Sequence, residues 1–559
     1  MATTQPTPAS KLLSFASLHS SSGSEQDGSM DTASRVLKGQ RLPSIVVHTP
    51  SPNRFLRYFE SAMKLFTSSF LLAALYLASS GSATPLPGGQ TRVASGKQVA
   101  ANDFIRVDGM RLRDSHGQPY YLTGINYWAC MNLAADKDAG GLHDRFITEL
   151  DQMAAAGINH LRIMAGSEGA PTPQPFRMEP ALQSAPGQYD ERIFVGLDRC
   201  LAEMSKRGMR ATMTLNDQWQ WSGGFAQYVS WANANEQYDY PPSWNFTAAP
   251  QRPGPPGRGW GNYTTTGSFN TYTDYGNRIY TDVQAEGMFL AHIDTVMNRR
   301  NTVNGRLYKD DATIMTWQLA NEPQPTSTTN LQGPYSLQYP PNPSDPMLAW
   351  VDRISTYIKK RAPQQLISAG FEGKQGEWYW KAVHTPQNID YGTTHAWVQN
   401  WGIYDMLNSS RANLEAAKSF ATEFMTNSSR WANEIGKPVF LEEFGMARDN
   451  WQNDVAKGEY QYASKATTTH KDEYFEHIIG LAVKSFMSDS GGYIGTSPWA
   501  YGGIYRPETQ KANKYGMWWA GDPTHEAPGW YDLYDTDEAI NIVKRQHKKV
   551  ANWLKTKPC

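Results

Sequence analysis

Two carboxylates stand where acid–base chemistry would need them. Glu322 comes late in Thr316-Trp317-Gln318-Leu319-Ala320-Asn321-Glu322-Pro323, and Glu443 lies in Leu441-Glu442-Glu443-Phe444-Gly445. Each run reads as a strand that ends at its carboxylate. Carboxyl groups facing each other across a cleft can cleave a glycosidic bond, one protonating the leaving oxygen and the other attacking the anomeric carbon or activating water. Retention of anomeric configuration needs them roughly 5 Å apart, a distance that chain spacing does not specify. Glu442 competes with Glu443 for this role. Successive side chains along a strand face opposite ways, so only one of the pair is expected to look into the cleft.

The elements that would position these groups alternate. Short apolar or β-branched runs predict strands at Tyr120–Asn126, Ile158–Ala165, Arg210–Asn216, Ile314–Asn321, Leu366–Gly370, Tyr391–Trp397, Pro438–Phe444 and Tyr493–Ala500. Helical spacing separates them, for example Phe194, Leu197, Leu201 and Met204, or Val351, Ile354 and Ile358, with Val543, Val550 and Leu554 near the end. That order predicts an α/β fold, a (β/α)8 TIM barrel in which the carboxyl ends of all strands share one rim. Two long segments rich in Gly, Pro, Asn and aromatics, 217–275 and 324–346, follow predicted strands and form long βα loops at that C-terminal rim. Trp128, Trp219 and Trp221 read equally as sugar platforms or as packing. Asn126 and Asn216, each closing a strand, read equally as rim hydrogen-bonding groups or as turn residues.

Composition narrows the function classes. The 559 residues carry 52 Lys and Arg against 53 Asp and Glu, a net charge of -1, so no bulk field attracts nucleic acid or anionic lipid. A charged fraction of 19% argues against a disordered or coiled-coil chain, and the 19 tryptophans offer flat apolar faces that suit a core or uncharged sugar rings. Three cysteines, Cys130, Cys200 and Cys559, allow at most one internal bridge and form no CxxC pair. Cys200 falls between Leu197, Leu201 and Met204 and reads as a small apolar residue on a helix face.

The N-terminal region divides into a Ser/Thr/Pro-rich extension, 1–62, expected to be disordered, a signal-like segment, 63–83, and a linker, 84–101. Met63-Lys64, the apolar run Leu65–Ala78 and Gly81-Ser82-Ala83 have the three parts of a secretory signal, and the run is too short for an ordinary membrane span. Its position leaves two readings, a translation start at Met63 or an internal signal anchor. Sequons at Asn245, Asn262, Asn408 and Asn427 agree with secretion. Residues 102–559 form the expected catalytic domain.

The two carboxylate blocks resemble those of glycoside hydrolase family five, specifically its endo-β-1,4-mannanases, whose fourth strand ends in Asn-Glu-Pro and seventh in Glu-Phe-Gly. The likeness runs from about Tyr120 to Lys548. It takes in Gly124-Ile125-Asn126-Tyr127-Trp128, Trp221-Ser222-Gly223-Gly224, His395-Ala396-Trp397, Gly521-Asp522-Pro523 and Gly529-Trp530-Tyr531. It implies Glu322 as acid/base and Glu443 as nucleophile, and it selects Glu443 over Glu442. Asn321 matches the side chain that holds the sugar 2-hydroxyl, and Arg162 the arginine that keeps the nucleophile ionised. His395 and Trp499 match residues lining the cleaved-sugar subsite, Trp499 as a stacking floor. Where the family usually has a tyrosine donating to the nucleophile this chain has Trp397, whose indole offers a single N–H. Trp128 and Asn216 complete the expected substrate-binding set.

The implied activity is double displacement at internal β-1,4-mannosidic linkages of mannan, glucomannan and galactomannan. The expected protein is a secreted monomer needing no cofactor or metal, with no nucleic-acid partner and no stable membrane association. An exo-β-mannosidase or a β-1,4-glucanase would use the same carboxylates, whereas a non-catalytic polysaccharide-binding protein would not need both. Gly370-Phe371-Glu372-Gly373-Lys374 superficially suggests a phosphate loop, but its glycines are too close and Gln375 lacks the required hydroxyl. The basic run Lys544–Lys549 reads as the solvated face of the terminal helix.

Overall fold

The computed structural model describes residues 98–171, 177–241, 268–326, 339–449, 451, 462–488, 490–509, 513–515, 517–523, 526 and 528–556. The expected extension, the signal-like segment, most of the linker, Asn245, Asn262 and Cys559 lie outside the described residues.

All eight expected strands are present, trimmed at their ends: Leu122–Asn126, His160–Met164, Arg210–Thr214, Ile314–Gln318, Leu366–Ser368, Gly392–Ala396, Val439–Phe444 and Tyr493–Thr496. They pair in parallel in the order fifth, fourth, third, second, first, eighth, seventh, sixth. Between fifth and sixth the seam is bridged by Asp390 N–H to Ile367 O at 2.9 Å and His395 N–H to Glu372 O at 2.9 Å. The sheet is thus a nearly closed barrel. Every residue of these strands is buried, as both faces of a parallel sheet require when helices cover the outside and side chains fill the inside.

The helices follow the apolar periodicity. Glu191–Lys206 buries Phe194, Leu197, Leu201 and Met204, and its first turn is capped by Asp190, whose carboxylate accepts from Arg192 N. Pro346–Arg361 starts with proline in its first turn behind an Asp345 cap, where the missing N–H costs nothing. Among the described residues no helix is long and apolar enough to cross a membrane.

Three features lie beyond the sequence expectations. Arg106–Asp108, Arg111–Arg113 and Pro119–Tyr120 form an antiparallel sheet. Ile105 and Leu112 from this region pack on Leu122, Met315, Leu366, Tyr391, Phe440 and Ile494, mostly at strand starts, and so plug the barrel floor. Small two-stranded sheets form from Gln183–Ala185 with Gln188–Tyr189 and from Tyr501–Gly503 with Leu533–Tyr534. The third feature corrects the reading of Cys200, which forms a disulfide with Cys130. Its apolar helix face is the one that packs against the short helix Cys130–Leu133, bringing the two Cα atoms to 6.1 Å.

Candidate active site

The fourth, sixth and seventh strands deliver the central groups. Glu322 follows the fourth strand in a left-handed conformation with φ +51°, a costly geometry for a residue with a side chain and one that aims its carboxylate inward. Its N–H donates to Gly370 O at 2.9 Å. Gly370 has no alternative here, since a Cβ at that position would meet Ala320 O at 1.9 Å.

Glu443 ends the seventh strand. Its neighbour Glu442 also turns inward, which departs from simple alternation. In the pairing of the sixth and seventh strands Thr394 sits opposite Leu441 and His395 opposite Glu443, so Glu442 is the extra residue of a bulge. A bulge places two residues against one and breaks the period of two. Glu442 therefore points inside the barrel beneath the cavity, accepting from Gln318 Nε2 at 2.9 and 2.7 Å, while Glu443 reaches the cavity.

Arg162 joins these groups. Its guanidinium donates to Gln318 Oε1 at 2.8 Å, Asn126 Oδ1 at 3.2 Å and Asn321 Oδ1 at 2.7 Å, and it pairs with Glu443 Oε1. Asn126 is in turn held by donation to Glu442 O at 2.8 Å and Ser497 O at 3.0 Å, so it orients Arg162 inside the barrel. Asn321 donates to Asp217 Oδ1 at 3.1 Å while accepting from Arg162, which fixes its amide orientation.

His395 is fully buried behind the carboxylates. Its Nδ1 is 2.6 Å from Glu322 Oε1 and 3.3 Å from Glu443 Oε2, and its Nε2 is 3.6 Å from Glu442 Oε2. One oxygen of Glu322 and one of Glu443 lie within 4.8 Å of each other. The Trp397 indole N–H donates to Glu443 Oε2 at 3.2 Å, and that of Trp219 to Glu322 Oε2 at 2.6 Å.

Burial lowers the proton affinity of the His395 imidazole, but the charge of Glu443 and the contacts with Glu322, Glu442 and Glu443 outweigh it and hold it well above the usual histidine value. For Glu322 burial acts upward. The hydrogen bond and charge of His395, the Trp219 indole and the Lys374 ammonium prevail and bring its carboxyl below the ordinary range. Burial pushes Asp217 up to about 8. Glu526, buried and facing the charges of Glu443, Glu322 and Asp532, is held well above the ordinary carboxylate range.

Glu322, Asn321, Trp397, Glu443 and Trp499 line one cavity, with Trp219 and Trp221 in its wall. Arg162 and His395 support it from behind. Trp128 stands further back, its indole N–H donating to Gly521 O at 2.7 Å and its ring packing edge-on against Trp221 and Trp519. Asn216 is likewise buried away from the lining, its carbonyl accepting from Asn321 N–H at 2.9 Å. Phe269, Glu372, Lys374, Asn400, Trp401 and Glu526 line the cavity without having been expected to. Glu526 falls between the Gly521-Asp522-Pro523 and Gly529-Trp530-Tyr531 blocks. Asn400 and Trp401 closely follow the sixth strand, a position that could have marked them as rim residues.

A family profile described as GH family 5 beta-mannosidase-like matches residues 102–555. A glycoside hydrolase family 5 mannosidase from Rhizomucor miehei is 40% identical in its solved structure, with a TM-score of 0.70 over 82% of this chain and 100% of that one. Mannan endo-1,4-beta-mannosidase 5 of Solanum lycopersicum is 28% identical over 66% of this chain and 80% of its own length. Mannan endo-1,4-beta-mannosidase 2 of Oryza sativa is 26% identical over 65% and 71%. With the profile spanning the whole barrel, the chain belongs to the glycoside hydrolase family 5 β-mannosidase-like family and is a glycosidase.

Proposed function

We propose that the protein hydrolyses β-1,4-mannosidic linkages of mannan, glucomannan and galactomannan by double displacement. Glu443, paired with Arg162, attacks the anomeric carbon while Glu322, taking up the proton it shares with His395, passes it to the departing oxygen. A covalent mannosyl-enzyme forms on Glu443 and the sugar or polysaccharide fragment leaves. Glu322 then takes a proton from water, which attacks the same carbon from the vacated face and releases mannose-ended product with its configuration retained. Asn321, one N–H engaged by Asp217, keeps the other for the 2-hydroxyl, and Trp499 offers a ring face to the sugar.

The observation that carries this reading is the separation of the two carboxylates, within 4.8 Å oxygen to oxygen, which suits direct attack and leaves no room for the intervening water of an inverting enzyme. The names of the tomato and rice relatives support mannan as substrate and internal linkages as the point of attack. A second reading, release of terminal mannose, is favoured by one side of the cavity. There the Tyr531 hydroxyl donates to Asn400 and Glu526 turns inward, joining the segments that follow the sixth and eighth strands into a wall.

Incubation with mannohexaose and with cellohexaose, beside a Glu443→Ala control, tests both. Early mid-sized manno-oligosaccharides support internal attack, and mannose as sole early product supports the second reading. Cleavage of cellohexaose alone would sink the mannan assignment. Secretion is supported by the Cys130–Cys200 disulfide and by an exposed sequon at Asn408, and sequencing the N-terminus of the native protein checks it.

A further inference from the structure

Two charged side chains in the cavity wall take no part in the chemistry above. Glu372 and Lys374 belong to the segment after the fifth strand whose sequence superficially suggests a phosphate loop. Both are buried, and both line the cavity. Lys374 Nζ lies 3.4 Å from Glu372 Oε1, and the same oxygen accepts from Gln324 Nε2 at 3.0 Å and Gln375 Nε2 at 3.1 Å. Gln324 also donates to the main-chain carbonyl of Glu322 at 2.9 Å. The pair is thereby tied to the backbone that carries Glu322.

Its position has a chemical meaning. The fifth strand pairs with the fourth, which carries Glu322, and not with the seventh, which carries Glu443. Glu322 must touch the scissile oxygen, and the leaving group is attached to that oxygen, so side chains flanking Glu322 face the leaving group. Taking an ammonium and a carboxylate out of water costs several kcal/mol that an apolar wall would not incur. An N–H donor beside a carboxylate acceptor complements neighbouring sugar hydroxyls, each of which both accepts and donates.

We propose that Lys374 and Glu372 form the leaving-group subsite and select a polyhydroxylated aglycone, a hexosyl unit, over a flat apolar one. This rests on the mannoside-hydrolase reading. The ammonium also lowers the Glu322 carboxyl's proton affinity, a smaller contribution than those of His395 and Trp219.

The test compares two substrates with the same mannosyl group, mannobiose and 2,4-dinitrophenyl β-mannoside, on the wild type, Lys374→Met and Lys374→Arg, with Tm recorded for each. Lys374→Met is expected to lower kcat/KM for mannobiose by about 10- to 100-fold, chiefly through KM, and for the aryl mannoside by less than about threefold, on the scale of one or two hydrogen bonds. Lys374→Arg is expected to recover part of the mannobiose loss. If the methionine variant does not fold, the arginine variant with Glu372→Gln reads the same ratio. Equal losses on both substrates, none on either, or a mannobiose loss carried by kcat with KM unchanged, as weakened protonation by Glu322 would give, would overturn the subsite. If mannobiose is too short to be cleaved, mannohexaose takes its place in the comparison, and a wild-type enzyme inert on all three substrates overturns instead the mannoside reading beneath the proposal.

Discussion

His395 Nδ1 lies 2.6 Å from Glu322 Oε1 and 3.3 Å from Glu443 Oε2, so a single buried imidazole bridges the two cleft carboxylates. Burial alone would strip the ring of its proton, but the carboxylates retain it. Protonation of His395 and of Glu322 is therefore linked. Arg162 meets Glu443 and not Glu322, which makes the pair chemically unequal: one carboxylate is held by a permanent cation, the other by a group that can give up a proton.

That asymmetry separates the roles experimentally. Glu443→Ala is expected to lower kcat by about 10⁴-fold or more on every mannoside, since the covalent route is lost. Glu322→Ala is expected to cost about 10²- to 10⁴-fold on mannobiose but far less in the glycosylation step with a 2,4-dinitrophenyl leaving group, which departs without protonation. Added azide should yield the β-mannosyl azide with the Glu322 variant and the α anomer with the Glu443 variant. Product anomers exchanged between the two would reverse the assignment.

Trp397 donates its only N–H to Glu443 Oε2 at 3.2 Å. Trp397→Phe keeps an aromatic ring against Tyr531 and Trp499 while deleting that donor. A hydrogen bond to a charged acceptor is worth about 1.5–3 kcal/mol, so kcat/KM should fall by about 10- to 100-fold with Tm nearly unchanged. A variant of wild-type rate would show that Arg162 and His395 suffice to orient the nucleophile.

Glu168 gives a prediction about stability. Burial pushes its carboxyl from 4.5 up to about 8, while Gly224 N–H donates to it at 2.9 Å. With the folded value above the unfolded one, the native state holds an extra proton between these limits. Stability from this group is full below pH 4.5 and lost as pH rises towards 8. Glu168→Gln, which carries no charge, should match the wild type near pH 4.5 and exceed it by up to about 4 kcal/mol near pH 8. Thermal unfolding across that range checks it, and a pH-independent difference would mean that Glu168 is ionised in the fold.

The disulfide closes a loop with a sequence separation of 70 residues between Cys130 and Cys200. Restricting the unfolded chain in this way contributes about 4 kcal/mol in the loop-entropy model. The double variant Cys130→Ala/Cys200→Ala should lower the denaturant midpoint accordingly, and reducing agent should then have no further effect.

Much of this architecture was legible in the residues. Val439–Phe444 and Ile314–Gln318 announce themselves as buried strands because a parallel sheet covered on both faces needs continuous apolar runs. The helix Glu191–Lys206 is equally plain, since its apolar stripe and its Asp190 cap are local signals. The same stripe misled about Cys200. Periodicity reports that a residue is buried but not what it is buried against.

The chain by itself determined the order of strands and helices and the placing of Glu322 and Glu443 at strand ends, because these follow from interactions a few residues apart. Barrel closure decided the rest. It brought the two carboxylates within 4.8 Å, set Arg162 on one and His395 between them, and moved Trp128 behind the cavity wall. It also placed Lys374 and Glu372 on the flank of Glu322. The physical reason is that an ion pair or hydrogen bond depends on separations of a few ångströms between residues far apart in the chain, while a strand's own pattern specifies only which way each side chain points. At Glu442 even that was overridden, since a bulge is a property of two strands in register and not of either alone.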